Sequence, residues 1–346
     1  MNSFIVTKIF LLSTVSFLVA FAWTPLLTHF LYKYNLGKGI RDAKQAPVFA
    51  MMHQKKAGTP VMGGILVWAT TLFLIVFVFA LSEFFGGFWV KLNFFSRSET
   101  LLPLGALVAS ALVGLLDDFI DIKKIGLHGG GLRMRHRFII YGLIAIFGAY
   151  WFYYKLGWTI LHVPFLGNVD IGLWYIPFFI FIITATAHSV NLTDGLDGLA
   201  GGTLLAAFTS YGAIAFARGH YDLATFCGVI AGALLAFLWY NINPARFFMG
   251  DTGSMSLGVT LGVIALITNS ALLLPIIGII FVIETLSVIF QMFFKKFLGR
   301  KLFISSPLHH HLEALGWPEP KIVMRFWVIA AVSAVVGLIL FLGDKI

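Results

Sequence analysis

Ten predominantly apolar stretches divide this 346-residue chain, at 9–32, 62–81, 100–118, 138–154, 172–190, 199–217, 222–240, 255–273, 275–297 and 324–342. A helix needs about 20 such residues to cross a hydrocarbon core. Inside that core no water reaches the backbone, so a helix, which pairs its own N–H and C=O groups, is predicted for each stretch. Gly and Pro interrupt several of them, which membrane helices tolerate. Only 11% of the residues are charged, against about 25% in soluble domains, and a soluble fold is excluded. The lone Cys227 rules out an intrachain disulfide. The predicted fold is an all-α polytopic membrane protein with ten transmembrane helices, residues 1–346 forming one integral-membrane domain.

Orientation follows from the basic residues. Lys33, Lys38, Arg41, Lys44, Lys55 and Lys56 fall on the first loop, Lys123, Lys124, Arg133, Arg135 and Arg137 on the third, and Lys295, Lys296, Arg300, Lys301 and Lys321 on the ninth. The odd loops are thereby predicted to be cytoplasmic and both termini periplasmic. The formal net charge of +9 then reflects anchoring at the membrane and not nucleic-acid binding. Lys8 and Ala20-Phe21-Ala22 also resemble a cleavable signal, but the apolar run continues past Pro25 to Tyr32, which favours a retained first helix.

The chemically useful residues are confined to five short segments: Lys55-Lys56-Ala57-Gly58-Thr59-Pro60, Asp117-Asp118, Asn191-Leu192-Thr193-Asp194-Gly195-Leu196-Asp197-Gly198, Met249-Gly250-Asp251-Thr252-Gly253-Ser254 and His309-His310-His311. All five fall on the odd loops or at the helix ends beside them. A membrane protein that gathers acids, an amide, lysines and histidines at one interface has the makings of an enzyme whose substrate has one end in water and the other in lipid. Asp117-Asp118 reads either as a solvated helix end or as an acid pair offset by Mg²⁺ or a basic group, since a carboxylate at a helix C-terminus is disfavoured. Asn191, Asp194 and Asp197 read either as helix caps or as a cation- and donor-binding turn. Asp251, before a helix, is either a cap or a hard ligand for Mg²⁺, which takes one or two carboxylates plus substrate phosphates. Consecutive histidines cannot converge on one point, so a three-histidine zinc site is not predicted.

Together with Gly58-Thr59-Pro60-Val61-Met62-Gly63-Gly64, Tyr240-Asn241, Phe248 and Pro307-Leu308-His309-His310-His311-Leu312-Glu313, these segments resemble, in order and over nearly the whole chain, the MraY family. Its members are phospho-N-acetylmuramoyl-pentapeptide transferases of the polyprenyl-phosphate N-acetylhexosamine-1-phosphate transferase superfamily. The resemblance implies Mg²⁺-dependent transfer of a phosphosugar from UDP-MurNAc-pentapeptide to undecaprenyl phosphate, giving lipid I and UMP, at the cytoplasmic face of the bacterial inner membrane, by a homodimer. It implies that Asp251 is the metal ligand and that Asp117, Asp118, Asp251 and His310 are catalytic. It implies that Lys56, Asn191, Asp194, Gly195, Leu196, Asp197, Asn241, Phe248, His309 and His311 bind substrate, with Phe248 stacking on uracil. A lipid phosphate is already mostly ionised at neutral pH, so positioning or modest proton acceptance suits Asp117 better than strong base catalysis. Three departures stand out: Val61 where the family has Thr, Asp121 where it has a basic residue, and a loop over 129–137 rich in Gly and Arg. The alternatives are a sister enzyme using UDP-GlcNAc, an inactive lipid-binding relative, and a secondary transporter. The transporter is disfavoured because only Glu284 lies deep within a span.

Overall fold

The computed structural model describes residues 2–37, 56, 58–124 and 134–344. Lys55 and residues 129–133 of the basic loop lie outside them. The helices, in chain order, are α1 (Asn2–Lys33), α2 (Ile65–Phe85), the short α3 (Phe88–Leu92), α4 (Leu101–Ile122) and α5 (Met134–Tyr150). A β-hairpin follows, β1 (Ile160–Val163) pairing antiparallel with β2 (Gly167–Asp170). Then come α6 (Tyr175–Thr193), α7 (Leu199–Ala217), α8 (Tyr221–Asn241), α9 (Gly250–Ile267), α10 (Leu274–Ile277), α11 (Ile279–Phe297), α12 (Leu308–Ala314) and α13 (Glu319–Gly343). Among the described residues nine helices are long and apolar enough to cross a membrane, and ten spans result if the bent pair Ala271–Ile277 and Ile279–Phe297 counts as one. The chain is thus an all-α polytopic membrane protein.

Two elements differ from the sequence prediction. The span predicted over 275–297 is broken at Gly278, where the two helical pieces meet at 82°. Beyond the break α11 buries Ile280, Phe281, Glu284 and Ser287, spaced for a single face. The β-hairpin was not predicted either; its strands are four residues each and neither alternates buried with exposed positions.

The centre of the bundle is α9, buried at every position from Asp251 to Ile267 and packed between α4 and α6. Its interior hydroxyls leave no loose donors. Ser256 and Thr260 each donate to the carbonyl one turn back, Thr252 and Ser256 respectively, both at 2.6 Å. Because α4 and α6 end where α9 begins, the ends of three spans meet at one level, and the start of α13 reaches the same level through Glu319 and Asp197. The opposite end is stapled separately. Glu99, just before α4, accepts the backbone N–H groups of Asp222 and Leu223 at the start of α8 at 3.0 and 3.1 Å. Lys8 of α1 pairs with Asp222 at 3.1 Å. The hairpin docks on the end of α9, the His162 N–H donating to Asn269 Oδ1 at 3.0 Å, and on the end of α13, where His162 Nε2 meets Asp344.

Candidate active site

At the converging helix ends the acids divide their work. Both Asp118 oxygens accept backbone N–H groups at the start of α9, Oδ1 from Asp251 and Oδ2 from Thr252, each at 3.0 Å. A carboxylate there satisfies two of the four orphan donors and faces the positive end of the helix dipole. Gly250 makes the approach possible: its φ is +74°, and a Cβ would lie 2.6 Å from Asp118 Oδ2. Asp194 adds a third such contact, accepting the Gly250 N–H at 3.2 Å. Asp118, predicted as catalytic, therefore holds the α9 N-terminus in place.

Asp117 and Asp251 are joined through one residue that sequence reasoning counted only as a topology charge. The Arg137 guanidinium places Nε 2.8 Å from Asp117 Oδ2 and Nη2 2.6 Å from Asp251 Oδ2. Its Nη1 donates to Asn191 Oδ1 at 3.2 Å. Asn191 in turn donates from Nδ2 to Asp251 Oδ1 at 2.5 Å and to Ser254 Oγ at 2.9 Å. The planar fork suits this geometry, since its donors reach two carboxylates and an amide without bending. Asp117 is wholly buried and Asp251 is 6% exposed. Four carboxylates, Asp117, Asp118, Asp194 and Asp251, thus meet around one guanidinium and one helix N-terminus, an excess of negative charge that a divalent cation or a cationic substrate group would offset. The detectable signal for Arg137 was its place inside the first turns of a span, where a basic residue is costly unless paired.

Among the described residues no three His, Cys, Asp or Glu side chains form a ready-made metal group. The donor chemistry nonetheless fits Mg²⁺. Asp117 and Asp251 offer hard, buried oxygens, and this ion characteristically completes its shell with phosphate oxygens and water.

A second cluster lies around Lys56. Its Nζ is 2.6 Å from Asp197 Oδ1 and 2.5 Å from Glu319 Oε1. Glu319 Oε1 also accepts the Asp197 N–H at 2.7 Å. Asp197 Oδ2 accepts from Asn243 Nδ2 and from the Ala245 N–H, both at 3.0 Å. Asp197, predicted to contact substrate, is also the knot that joins the 194–198 turn, the loop after α8 and the start of α13. Glu319 and Asn243 were missed by sequence reasoning; neither carries a pattern beyond an acid in the first turn of a helix and an amide before a proline. Lys56 also stands 5.7 Å from the centroid of the Phe248 ring. Phe248 is half-buried, and its backbone is pinned by the Gly58–Gly64 segment, its N–H donating to Pro60 O and its carbonyl accepting from Gly63, both at 2.8 Å. Asn241 is a staple, accepting the Gly198 N–H at 2.9 Å and donating to Phe247 O at 2.8 Å. Leu196 is buried beside it in a small apolar cluster with Leu199, Ile322 and Phe326.

The three histidines form the short α12 and do not converge. His309 is fully buried; its N–H and its Nδ1 meet Glu284 Oε1 and Oε2 at 3.2 and 3.0 Å. Its Nε2 faces Gly195, where a Cβ would lie only 2.2 Å away. His310 Nδ1 lies 2.7 Å from Glu313 Oε2. His311 Nδ1 accepts the Ile304 N–H at 3.2 Å and fixes the loop before the helix. Of the predicted site residues, Asp117, Asp118, Asn191, Asp194 and Asp251 gather around the α9 N-terminus, and Lys56 and Asp197 form the second cluster. His311 does not join them.

The acid-lined site lies at the ends of membrane-spanning helices, and residues 100–269 match the Glycosyl transferase family 4 model, which sets the class of the protein as a glycosyl transferase. The chain is 38% identical over 346 residues to the phospho-N-acetylmuramoyl-pentapeptide-transferase of Chloroflexus aggregans, covering 96% of this chain and 89% of that one. It is 42% identical over 331 residues to the transferase of the same name in Geobacillus kaustophilus, covering 94% and 95%. With that of Clostridium perfringens it shares 40% over 336 residues, 96% of each. The chain belongs to the phospho-N-acetylmuramoyl-pentapeptide-transferase family.

Proposed function

We propose that the chain transfers phospho-N-acetylmuramoyl-pentapeptide from its UDP derivative to undecaprenyl phosphate at the cytoplasmic face of the bacterial inner membrane. An oxygen of the lipid phosphate attacks the sugar-bearing phosphorus, the bond to the UMP oxygen breaks, and the products are lipid I and UMP. Attack of one phosphate on another sets anion against anion, so catalysis consists of neutralising charge and holding the groups in line. Mg²⁺ held by Asp251 would supply charge neutralisation on the diphosphate. Arg137 contributes fixed positive charge between Asp117 and Asp251. Asp117 orients the lipid phosphate, Lys56 and Phe248 flank the nucleotide, and Asn191 fixes Asp251. His310 sits at the edge of the cleft as a polar contact. The observation that carries the reading is the Asp117–Arg137–Asp251 bridge, closed by Asn191 at the start of the most buried helix. A homodimer belongs to the same proposal.

The deciding experiment is UMP release by purified protein with undecaprenyl phosphate, with and without Mg²⁺, using UDP-MurNAc-pentapeptide or UDP-GlcNAc as donor. Release only with the first donor, and only with Mg²⁺, is the expected result. Preference for UDP-GlcNAc would make the chain a sister enzyme and overturn the reading.

A further inference from the structure

Tyr141 stands one helical turn beyond Arg137 on α5, so the two side chains share a face. The residue is fully buried, with its ring 6.4 Å from that of Phe138 in an edge arrangement. Its hydroxyl has no hydrogen-bond partner among the described residues. It lies within electrostatic reach of Asp251, Arg137 and Asp117, the three groups bridged at the site. A buried hydroxyl without a partner carries a desolvation penalty, and phenylalanine would fill the same space without it. Packing alone therefore gives no reason for the oxygen.

We propose that the Tyr141 hydroxyl donates a hydrogen bond to the phosphate of the lipid acceptor, beside Asp117 and Arg137. This rests on the phosphoglycosyl transfer proposed above and names a further substrate-binding group for it. Two features select the lipid phosphate over the diphosphate of the nucleotide sugar. Tyr141 lies deeper in the span His136–Lys155 than Arg137 does, nearer the hydrocarbon in which a polyprenyl chain must sit. Its charged neighbours belong to the Asp117–Arg137–Asp251 bridge, whereas Lys56, Asp197 and Glu319 form a separate cluster. The hydroxyl donates to a phosphate oxygen, a charge-assisted bond of the stronger kind.

The test is Tyr141→Phe in the full-length purified protein, with UMP release measured while undecaprenyl phosphate and UDP-MurNAc-pentapeptide are varied in turn. Loss of one hydrogen bond to an ionised group predicts a KM for undecaprenyl phosphate raised on the order of ten- to a hundredfold. The KM for the nucleotide sugar should stay within about twofold of wild type, which marks loss of acceptor binding alone. The melting temperature should hold or rise, because an unsatisfied hydroxyl has been removed. Unchanged kinetics toward the lipid, or a change confined to the nucleotide sugar, would overturn the assignment. So would a lowered melting temperature with both constants shifted together, which would make the hydroxyl structural. Wild-type protein on the same substrates reports separately on the proposed function: wild type that releases no UMP would overturn that reading, and the lipid-phosphate assignment with it.

Discussion

Replacing Asp251 by asparagine removes one formal charge and almost no volume. The structure separates its effects on folding and on catalysis. Asp251 accepts from Arg137 at 2.6 Å and from Asn191 at 2.5 Å. An asparagine keeps one acceptor oxygen, so one of the two contacts survives and one charge-assisted bond is lost. Stranding a buried charge costs about 3–5 kcal/mol, but Arg137 keeps Asp117 at 2.8 Å and is not stranded. The stability loss should therefore resemble that of a single charged hydrogen bond, about 1.5–3 kcal/mol. Catalysis loses the carboxylate proposed to hold Mg²⁺, a contribution of several kcal/mol, and a fall of at least roughly a thousandfold in kcat follows at about 1.4 kcal/mol per decade. UMP release at saturating Mg²⁺ and thermal unfolding in the same detergent measure the two quantities. More than a tenth of wild-type activity would refute Asp251 as the principal metal ligand. Inactivity accompanied by wholesale loss of monodisperse protein would refute the argument that Arg137 remains satisfied.

Phe248→Ala should weaken nucleotide binding by about 1–3 kcal/mol, the worth of one base–aromatic stack, measured by calorimetry with a UDP ligand; unchanged affinity would place the base elsewhere. Asp118→Ala should lower stability by roughly 1–2 kcal/mol, since it removes the carboxylate that caps two N–H groups of α9; an unchanged melting temperature would remove the capping assignment. On the opposite face, burial works against the Glu99 carboxylate, but the hydrogen bond from His220 and those from the N–H groups of Leu223 and Asp222 together hold it below its usual range. Its contribution to stability is therefore present above the unfolded-state value and lost as pH falls through the depressed folded value. Glu99→Gln should flatten that acid limb of the melting-temperature profile, and an unaltered limb would exclude Glu99 as its source.

Much of the fold is legible because the bilayer leaves the backbone so few options. Apolar length alone located the spans, and the polar segments converge because each sits where its helix begins or ends on one side of the bundle. The break at Gly278 was not legible. Pro275 and Gly278 interrupt the run as other prolines and glycines do in helices that stay unbroken, such as Pro25 within α1. Only packing decides between the two outcomes. Within the site, Asp251, Asn191 and Lys56 were recognisable as polar residues at membrane helix ends. Arg137 was hidden by a rule that predicts basic residues on that face for another reason. Glu319 was hidden because its partners are so distant in sequence that no local pattern connects them.

That distance has a consequence for how the protein is made. Lys56 precedes Glu319 by 263 positions, and nearly every span is threaded between them. While the nascent chain is being inserted, Lys56 and Asp197 can meet early, but the second carboxylate exists only once the last helix begins to emerge. The cleft proposed for the nucleotide is thus one of the final features to assemble. A product cut short by stalled translation or proteolysis before α13 could carry every acid of the 117–251 region in the membrane and still lack a finished pocket, so incomplete chains would not draw on the cell's supply of activated sugar.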